Sequence, residues 1–271
     1  MREFIFNGKR LPLGERAYIM GILNVTPDSF SDGGRYNSLK AALSHTEEML
    51  SDGADIIDIG AVSTRPFSEK VTENEEWERL KDILPAVKRE FPGAVVSVDT
   101  TSPLVAEKSI LAGADIINDV SGVFLSDMAE IIKKYDCGWV VMHGGISVRR
   151  AEEVTDFPGG IVNDVNSFFA DMLKRADDFG IPHSGICLDP GFGFSKTNEQ
   201  NRELLANFGR LQKSDCALMC ALSRKRFIRE TAGDREEDII RLTVEADRLA
   251  IENGADIIRV HDVKEHMERR F

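Results

Sequence analysis

The hydrophobic positions of this chain form short continuous runs that alternate with longer amphipathic stretches. The short runs are typical of strands buried on both faces of a parallel sheet. They predict eight strands, at about residues 18–24, 55–60, 94–99, 115–119, 138–143, 185–189, 216–222 and 256–261. The longest amphipathic stretches predict helices that pack around these strands, over Leu39–Leu50, Glu75–Phe91, Val162–Phe179 and Asp238–Asn253.

A five-residue repeat marks the joint between a helix and a strand. The segment Gly53–Ile57 reads Gly-Ala-Asp-Ile-Ile and recurs at 113–117 and 254–258. Glycine in a left-handed conformation ends a helix, and the paired isoleucines begin a buried strand. We therefore expect each copy to be one helix-to-strand joint, with a structural aspartate at the N-terminal end of the strand.

Several helix starts carry residues that cap the first turn. These pairs are Thr72 with Glu75, Ser102 with Pro103, Thr197 with Gln200, and Asp234 with Glu237. Eight strands that alternate with helices favour an α/β fold of the (β/α)8 TIM barrel type, with residues 1–271 as a single domain. A doubly wound open sheet is the alternative.

Polar side chains recur at or near the C-terminal ends of the predicted strands. They are Asn24, Asp58, Asp99, Asn118, His143, Asp189, Ser223 and His261. In a (β/α)8 barrel these ends meet at one mouth, where catalytic and binding residues lie. A strand can also end in Asp or Asn only to begin a turn, but eight such positions together favour a site.

One group at this mouth suits a flat, nitrogen-rich heterocycle. Asp99 and Asp189 offer carboxylates that accept two parallel N–H bonds, and Asn118 offers an amide that matches a neighbouring donor and acceptor. Lys225 supplies a cation that can bind a ring carbonyl or nitrogen. Together the four residues predict a binding slot for such a ring.

A second group suits a phosphate or diphosphate. Arg259 and His261 alternate on the last strand and so share a face, and Asn24 ends the first strand, which neighbours the last in a closed barrel. Donor side chains beside an oxygen ligand predict an anion bound together with Mg²⁺, with Asn24 as the metal ligand.

Two long segments after early strands, residues 26–38 and 60–70, are rich in Gly, Ser and Pro and are interpreted as loops that close over the mouth. They could deliver Asp28, Phe30, Asp32 and Arg65. No Ser-His-Asp triad, nucleophilic cysteine or His-Glu-x-x-His pattern is apparent in the sequence. A mechanism without a covalent enzyme intermediate is indicated.

Charge and cysteine content restrict the partners. With 34 Lys and Arg against 46 Asp and Glu, the net charge of −12 argues against binding nucleic acid by bulk charge. The four cysteines lie in apolar runs without Cys-x-x-Cys spacing, which favours buried thiols in a reducing cytoplasm. We expect no signal peptide and no membrane span.

Ordered motifs along nearly the whole chain carry a family resemblance. They are NVTPDSFSDGG at 24–34, DIG at 58–60 with STRP at 63–66, SVDT at 97–100, INDVSG at 117–122, MH at 142–143, DPGFGF at 189–194, SRK at 223–225 and RVHDV at 259–263. In these motifs the chain resembles the dihydropteroate synthase family of folate biosynthesis, which is a target of sulfonamides. The resemblance implies condensation of (7,8-dihydropterin-6-yl)methyl diphosphate with 4-aminobenzoate to give 7,8-dihydropteroate and diphosphate.

The resemblance also implies roles for individual residues. The pterin would contact Asp99, Asn118, Met142, Asp189, Phe194 and Lys225; the diphosphate would contact Thr64, Arg259 and His261, with Mg²⁺ on Asn24; and 4-aminobenzoate would contact Arg65, Pro66, Phe192 and Arg226. Asp99, Lys225, Arg259 and His261 are the expected catalytic residues. A cytoplasmic homodimer is expected, although the stretch after His261 is short for the family.

The chain departs from the family pattern mainly around the second substrate. Val62 stands where Glu is commoner, Phe67 where Gly is usual, and Arg226 where Ser is frequent. Two other functions therefore stay open: a pterin-binding paralogue without synthase activity, and a corrinoid-dependent methyltetrahydrofolate methyltransferase with a related barrel. The second gives no reason for Arg259, His261 or the motif at 24–34.

Overall fold

A computed structural model gives the fold over residues 2–26, 34–62, 71–144, 156–233 and 235–268. The strands are β1 Glu3–Phe6, β2 Lys9–Pro12, β3 Tyr18–Asn24, β4 Ile56–Gly60, β5 Val95–Asp99, β6 Ile116–Asp119, β7 Gly138–Met142, β8 Ile186–Asp189, β9 Ala217–Cys220 and β10 Ile257–Val260. The helices are α1 Gly34–Ser51, α2 Glu73–Leu80, α3 Ile83–Glu90, α4 Pro103–Leu111, α5 Ser126–Tyr135, α6 Ile161–Phe179, α7 Asn198–Ala206, α8 Arg226–Ala232, α9 Glu236–Glu252 and α10 Val263–Glu268.

Strands β3 to β10 are parallel and close into a barrel in the order β10, β3, β4, β5, β6, β7, β8, β9. This closure confirms the (β/α)8 barrel and rules out the open sheet. Strand alternation divides the core into two layers, because side chains that point outward pack under the helices and side chains that point inward fill the barrel. No helix in the described ranges is long and apolar enough to cross a membrane.

The N-terminal hairpin β1–β2, which is absent from the eight strands predicted above, closes the lower end of the barrel. Phe4 and Phe6 are fully buried against the inward-facing side chains. Phe4 lies so close to β7 that a Cβ on Gly138 would come within 2.9 Å of its ring. Asn7 and Gly8 turn the hairpin with φ of 48° and 72°, and an Asn-Gly pair between short apolar runs is a known hairpin signal.

The three repeats are helix-to-strand joints as predicted. Gly53, Gly113 and Gly254 have φ of 102°, 109° and 98°, a region that favours glycine. Each is followed by a strand of the barrel. The four cysteines are buried free thiols, also as predicted.

Three predicted caps are confirmed, and two helix predictions need correction. Thr72 and Thr197 form capping boxes, and the Ser102 hydroxyl accepts from the Val105 amide. The stretch 75–91 is two helices, because Pro85 lacks an N–H and is accommodated only in the first turn of a new helix. Helix α9 has Arg235 as its N-cap residue, while Asp234 lies outside the described residues.

Candidate functional site

A pocket opens at the C-terminal ends of the barrel strands. It holds about 370 Å³ of empty space, part of it open to solvent. The described residues that line it are Asp99, Asn118, Val120, Met142, Asp189, Gly191, Phe192, Phe194, Ala221, Lys225 and Arg259. Eight of them were predicted as site residues, so strands far apart in sequence bring the heterocycle group and Arg259 to one place.

Arg259 forms the centre of a buried ion cluster. From β10 it reaches across the barrel, where its Nε donates to Asp58 Oδ2 at 2.7 Å and its Nη2 makes an ion-pair contact with the same oxygen at 2.6 Å. The same Nη2 donates to Asp99 Oδ2 at 3.0 Å. Burial raises the pKa of Asp99 to about 7, although the charge of Arg259 acts against this rise. Asp99 is therefore poised to gain or lose a proton near neutral pH.

Asn118 is oriented by the same cluster. Its Nδ2 donates to Asp58 Oδ2 at 3.1 Å. Its Oδ1 is buried and has no hydrogen-bond partner among the described residues. Since Asn118 lines the pocket, the free oxygen offers an acceptor to an N–H group of a ligand.

The opposite side of the pocket carries Asp189 and Lys225. Asp189 accepts the Gly191 amide at 2.7 Å, and burial raises the pKa of this carboxyl. The Lys225 ammonium lies 4.3 Å from the centre of the Phe194 ring. Burial, followed by the nearby charge of Arg259, lowers the pKa of Lys225 to about 8. The pocket thus pairs acceptors with a cation beside an aromatic face.

His261 lies next to the pocket but is not among the described residues that line it. Its Nδ1 is 3.0 Å from Ser223 Oγ, which also accepts the His261 amide at 3.2 Å. Burial, followed by the charge of Arg259, lowers the pKa of His261 to about 4. At neutral pH this histidine is uncharged, so it can offer an anion a hydrogen bond but no positive charge.

The predicted residues for the second substrate are the least defined part of the site. Arg226 is exposed over 86% of its side chain and pairs with Glu230 at 3.4 Å, away from the pocket lining. Phe192 is buried and stacks with Phe208 and Phe227. Thr64, Arg65 and Pro66 lie outside the described residues, as do Phe67, Asp28, Phe30 and Asp32.

Two residues that support the pocket were not predicted as part of it. Asp58 was recognised only as a strand-end residue, although it holds Arg259 and Asn118. Lys196 is half-buried and donates to the carbonyls of Gly191 and Phe194 at 2.8 and 3.1 Å. Burial lowers the pKa of Lys196 to about 7. The signal for Asp58 was its place two residues before Gly60, which puts both on the inward face of β4.

Known proteins with similar sequence and structure cover nearly the whole chain. The family described as pterin binding enzyme matches residues 20–261. A dihydropteroate synthase of Clostridium beijerinckii is 41% identical over 260 residues, covering 95% of this chain and 93% of that protein.

Two solved structures show the same architecture. One is a Xanthomonas albilineans dihydropteroate synthase with 4-aminobenzoic acid, with a TM-score of 0.89, 33% identity and coverage of 99% of this chain and 95% of that one. The other is a Yersinia pestis dihydropteroate synthase with a sulfonamide drug, with a TM-score of 0.88, 37% identity and coverage of 98% and 95%.

Proposed function

The chain belongs to the pterin-binding enzyme family, and we propose that it catalyses the dihydropteroate synthase reaction. In this transferase reaction (7,8-dihydropterin-6-yl)methyl diphosphate and 4-aminobenzoate give 7,8-dihydropteroate and diphosphate. The observation that carries the proposal is the convergence of Asp99, Asn118, Asp189 and Lys225 on one pocket, beside Arg259. The similarity to synthases over the full barrel favours this reaction over methyl transfer.

The pocket has the chemistry to bind a pterin. A pterin carries several N–H donors along one edge and a carbonyl on the ring. Asp189 and Asn118 Oδ1 are buried acceptors for the N–H groups, and the ammonium of Lys225 suits the carbonyl. Phe194 and Met142 line the same pocket and offer apolar faces to the flat ring.

Loss of diphosphate is the step that needs electrostatic help. The bond between the pterin methylene carbon and the diphosphate oxygen breaks, its electron pair leaves with the oxygen, and a pterin cation remains. Arg259 and neutral His261 stabilise the departing anion, while the ionised form of Asp99 stabilises the cation. The amine of 4-aminobenzoate then forms the new C–N bond and loses a proton, so no covalent enzyme intermediate is needed.

The residues at the mouth fit a magnesium ion. A Cβ on Gly60 would lie 3.7 Å from Asn24 Oδ1 and 3.5 Å from Asp99 Cβ, so glycine keeps space open between an amide oxygen and a carboxylate. The described residues contain no group of three or more His, Cys, Asp or Glu side chains that could hold a metal. On the basis of the motif resemblance we assign Asn24 as the protein ligand, and phosphate oxygens of the substrate would complete the shell. Mg²⁺ bound there would neutralise part of the diphosphate charge.

The second substrate, location and assembly complete the proposal. We assign Arg65, Pro66, Phe192 and Arg226 to 4-aminobenzoate and Thr64 to the diphosphate, on the basis of the motif resemblance. We expect a homodimer in the cytoplasm, and light scattering after gel filtration would test its mass.

The test is an assay of diphosphate release from the pterin substrate in the presence of Mg²⁺, with and without 4-aminobenzoate. We expect release that depends on 4-aminobenzoate and yields dihydropteroate. Tight binding of the pterin substrate without product would instead indicate a pterin-binding paralogue. Asp55→Asn, at the opposite end of the barrel, is the matched control for variants of the mouth carboxylates.

A further inference from the structure

We infer that Asp58 is the permanent counter-ion of Arg259 and fixes the orientation of Asn118, so that Asp99 is free to exchange its ion pair for the ligand. Asp58 is thus a positioning residue, because it acts through Arg259 and Asn118 and is not among the described residues that line the pocket. This inference rests on the proposed function, since it assigns ligand contacts to the same pocket.

The two carboxylates that bind Arg259 differ in burial and in place. The side chain of Asp58 is 0% exposed, and its Oδ2 accepts a hydrogen bond from Arg259 Nε and makes an ion-pair contact with Nη2 at 2.6 Å. The side chain of Asp99 is 13% exposed, accepts one at 3.0 Å and lines the pocket. A ligand in the pocket therefore competes with Arg259 for Asp99 and leaves the pair with Asp58 intact.

The reaction explains why Arg259 needs a counter-ion outside the pocket. Each turnover brings a diphosphate to the guanidinium and then removes it. A buried arginine that depended on its substrate for charge balance would be destabilising in every ligand-free interval. Asp58 supplies a negative charge in both states, and it does so from strand β4, which is separated from β10 by β3 in the barrel, rather than from the substrate.

The second consequence concerns which atom Asn118 presents to the ligand. An ionised carboxylate only accepts hydrogen bonds, so Asp58 Oδ2 binds the Nδ2 end of the Asn118 amide at 3.1 Å. The opposite end, Oδ1, is then directed away from Asp58 as an acceptor. If the amide were reversed, Asn118 would present a donor to the donor-rich edge of a pterin.

The variant Asp58→Asn separates charge from geometry. The two hydrogen bonds from Arg259 Nε and Asn118 Nδ2 and the ion-pair contact of Arg259 Nη2 all reach the single atom Oδ2, so an amide oxygen at that place can accept the same hydrogen bonds without the charge. Arg259 then has Asp99 as its full counter-ion. Asp58 raises the pKa of Asp99 and Arg259 lowers it. In the variant the pKa of Asp99 should therefore fall, so Asp99 is ionised at lower pH. The ionised carboxylate is then held in its ion pair with Arg259 and is less available to a ligand.

The experiment measures binding affinity by isothermal titration calorimetry from pH 5 to 9. The two probes are 6-hydroxymethylpterin and inorganic pyrophosphate with magnesium chloride. Turnover is measured over the same pH range. For Asp58→Asn we expect the affinity for the pterin to fall about ten-fold, and the acid limb of the turnover profile to move to lower pH. Asp55→Asn should bind both probes as the wild type does. Unchanged pterin affinity together with an unchanged pH profile in Asp58→Asn would overturn the inference.

A stability cycle tests the counter-ion role without any ligand. Asp58→Asn removes one of the two carboxylates that pair with Arg259, and Arg259→Gln leaves both carboxylates without their shared cation, so each should lower Tm. The double variant also removes the repulsion between Asp58 and Asp99, so it should melt above Arg259→Gln. A Tm of the double variant at or below that of Arg259→Gln, or failure to recover the double variant as folded protein, contradicts the inference. Failure of wild type to bind 6-hydroxymethylpterin would contradict the proposed function but leave this cycle decisive for Asp58.

Discussion

The two ends of the barrel use buried and half-buried aspartates in opposite ways. At the lower end the aspartates of the three repeats accept strand amides and pair with cations. Asp55 accepts the Ile19 amide and Arg16, Asp115 the Val96 amide and Lys9, and Asp256 the Leu218 amide and Arg2. Each one therefore ties two strands together, which confirms the structural role expected for them.

At the mouth, Asp58, Asp99 and Asp189 sit in a pocket wall or directly beneath it. Asp58 Oδ1 is buried without a hydrogen-bond partner among the described residues. Burial raises the pKa of Asp99 and of Asp189. At the lower end, burial also acts to raise the pKa of Asp115, but Lys9, the Val96 amide and Lys88 outweigh it and hold this pKa below its usual value. The lower-end aspartates are thus paired within the protein, whereas the mouth keeps buried carboxylate groups that a ligand can bind.

The largest expected effect is loss of turnover at the mouth. Arg259→Ala and Asp99→Ala should each lower kcat by about 10² to 10³-fold, because each removes one preorganised charge worth roughly 2–4 kcal/mol of barrier. Steady-state kinetics of diphosphate release would measure this. A loss below ten-fold in both variants would mean that neither charge acts in the reaction.

A matched change at the lower end should affect stability instead. Asp115→Asn loses charge pairing with Lys9 and Lys88, which are 35% and 19% exposed, so we expect a loss of about 1–2 kcal/mol in the free energy of unfolding after allowing for solvent screening. The folded pKa of Asp115 is lowered, so its contribution is present above the unfolded pKa and disappears as the pH falls through the folded value. Urea unfolding at pH 7 and pH 3, with turnover as the control, would check both points.

Asp99→Asn should show the opposite pH dependence. The folded pKa of Asp99 is about 7, above its unfolded value, so ionisation of this group reduces the stability of the wild type as the pH rises from about 4 to 7. An asparagine side chain cannot ionise, so the Asp99→Asn variant keeps its stability over this pH range. We expect its Tm at pH 8 to exceed that of the wild type by about 3 °C. A lower Tm at pH 8 would show that pairing with Arg259 outweighs burial.

The smallest expected effect is at the exposed rim. Arg226→Ala breaks a solvent-exposed pair with Glu230, so Tm should stay within about 1 °C of the wild type. If Arg226 binds the carboxylate of 4-aminobenzoate, KM for that substrate should rise about three-fold with kcat unchanged. An unchanged KM would remove Arg226 from the site.

Strand number, the helix-to-strand joints and most of the pocket were predictable because they follow from local patterns. Buried strands need continuous apolar runs, and a barrel brings the ends of all its strands together, so Asp99, Asn118 and Asp189 could be grouped before any contact was known. The break before Pro85 and the Asn7–Gly8 hairpin also have local signals in the sequence, a proline and an Asn-Gly pair.

The sequence does not predict which hydrogen-bond or ion-pair partner each polar side chain has. Asp58 and Asp99 read alike as strand-end carboxylates, and nothing local distinguishes the one that holds Arg259 from the one that also faces the pocket. Arg226 follows Lys225 directly, yet Lys225 is buried in the pocket and Arg226 is exposed. The charge balance of Arg259 depends on Asp58, a residue 201 positions away in the chain. The burial of the pocket residues and the neutrality of His261 likewise depend on side chains from distant strands. These properties therefore arise only when the barrel closes.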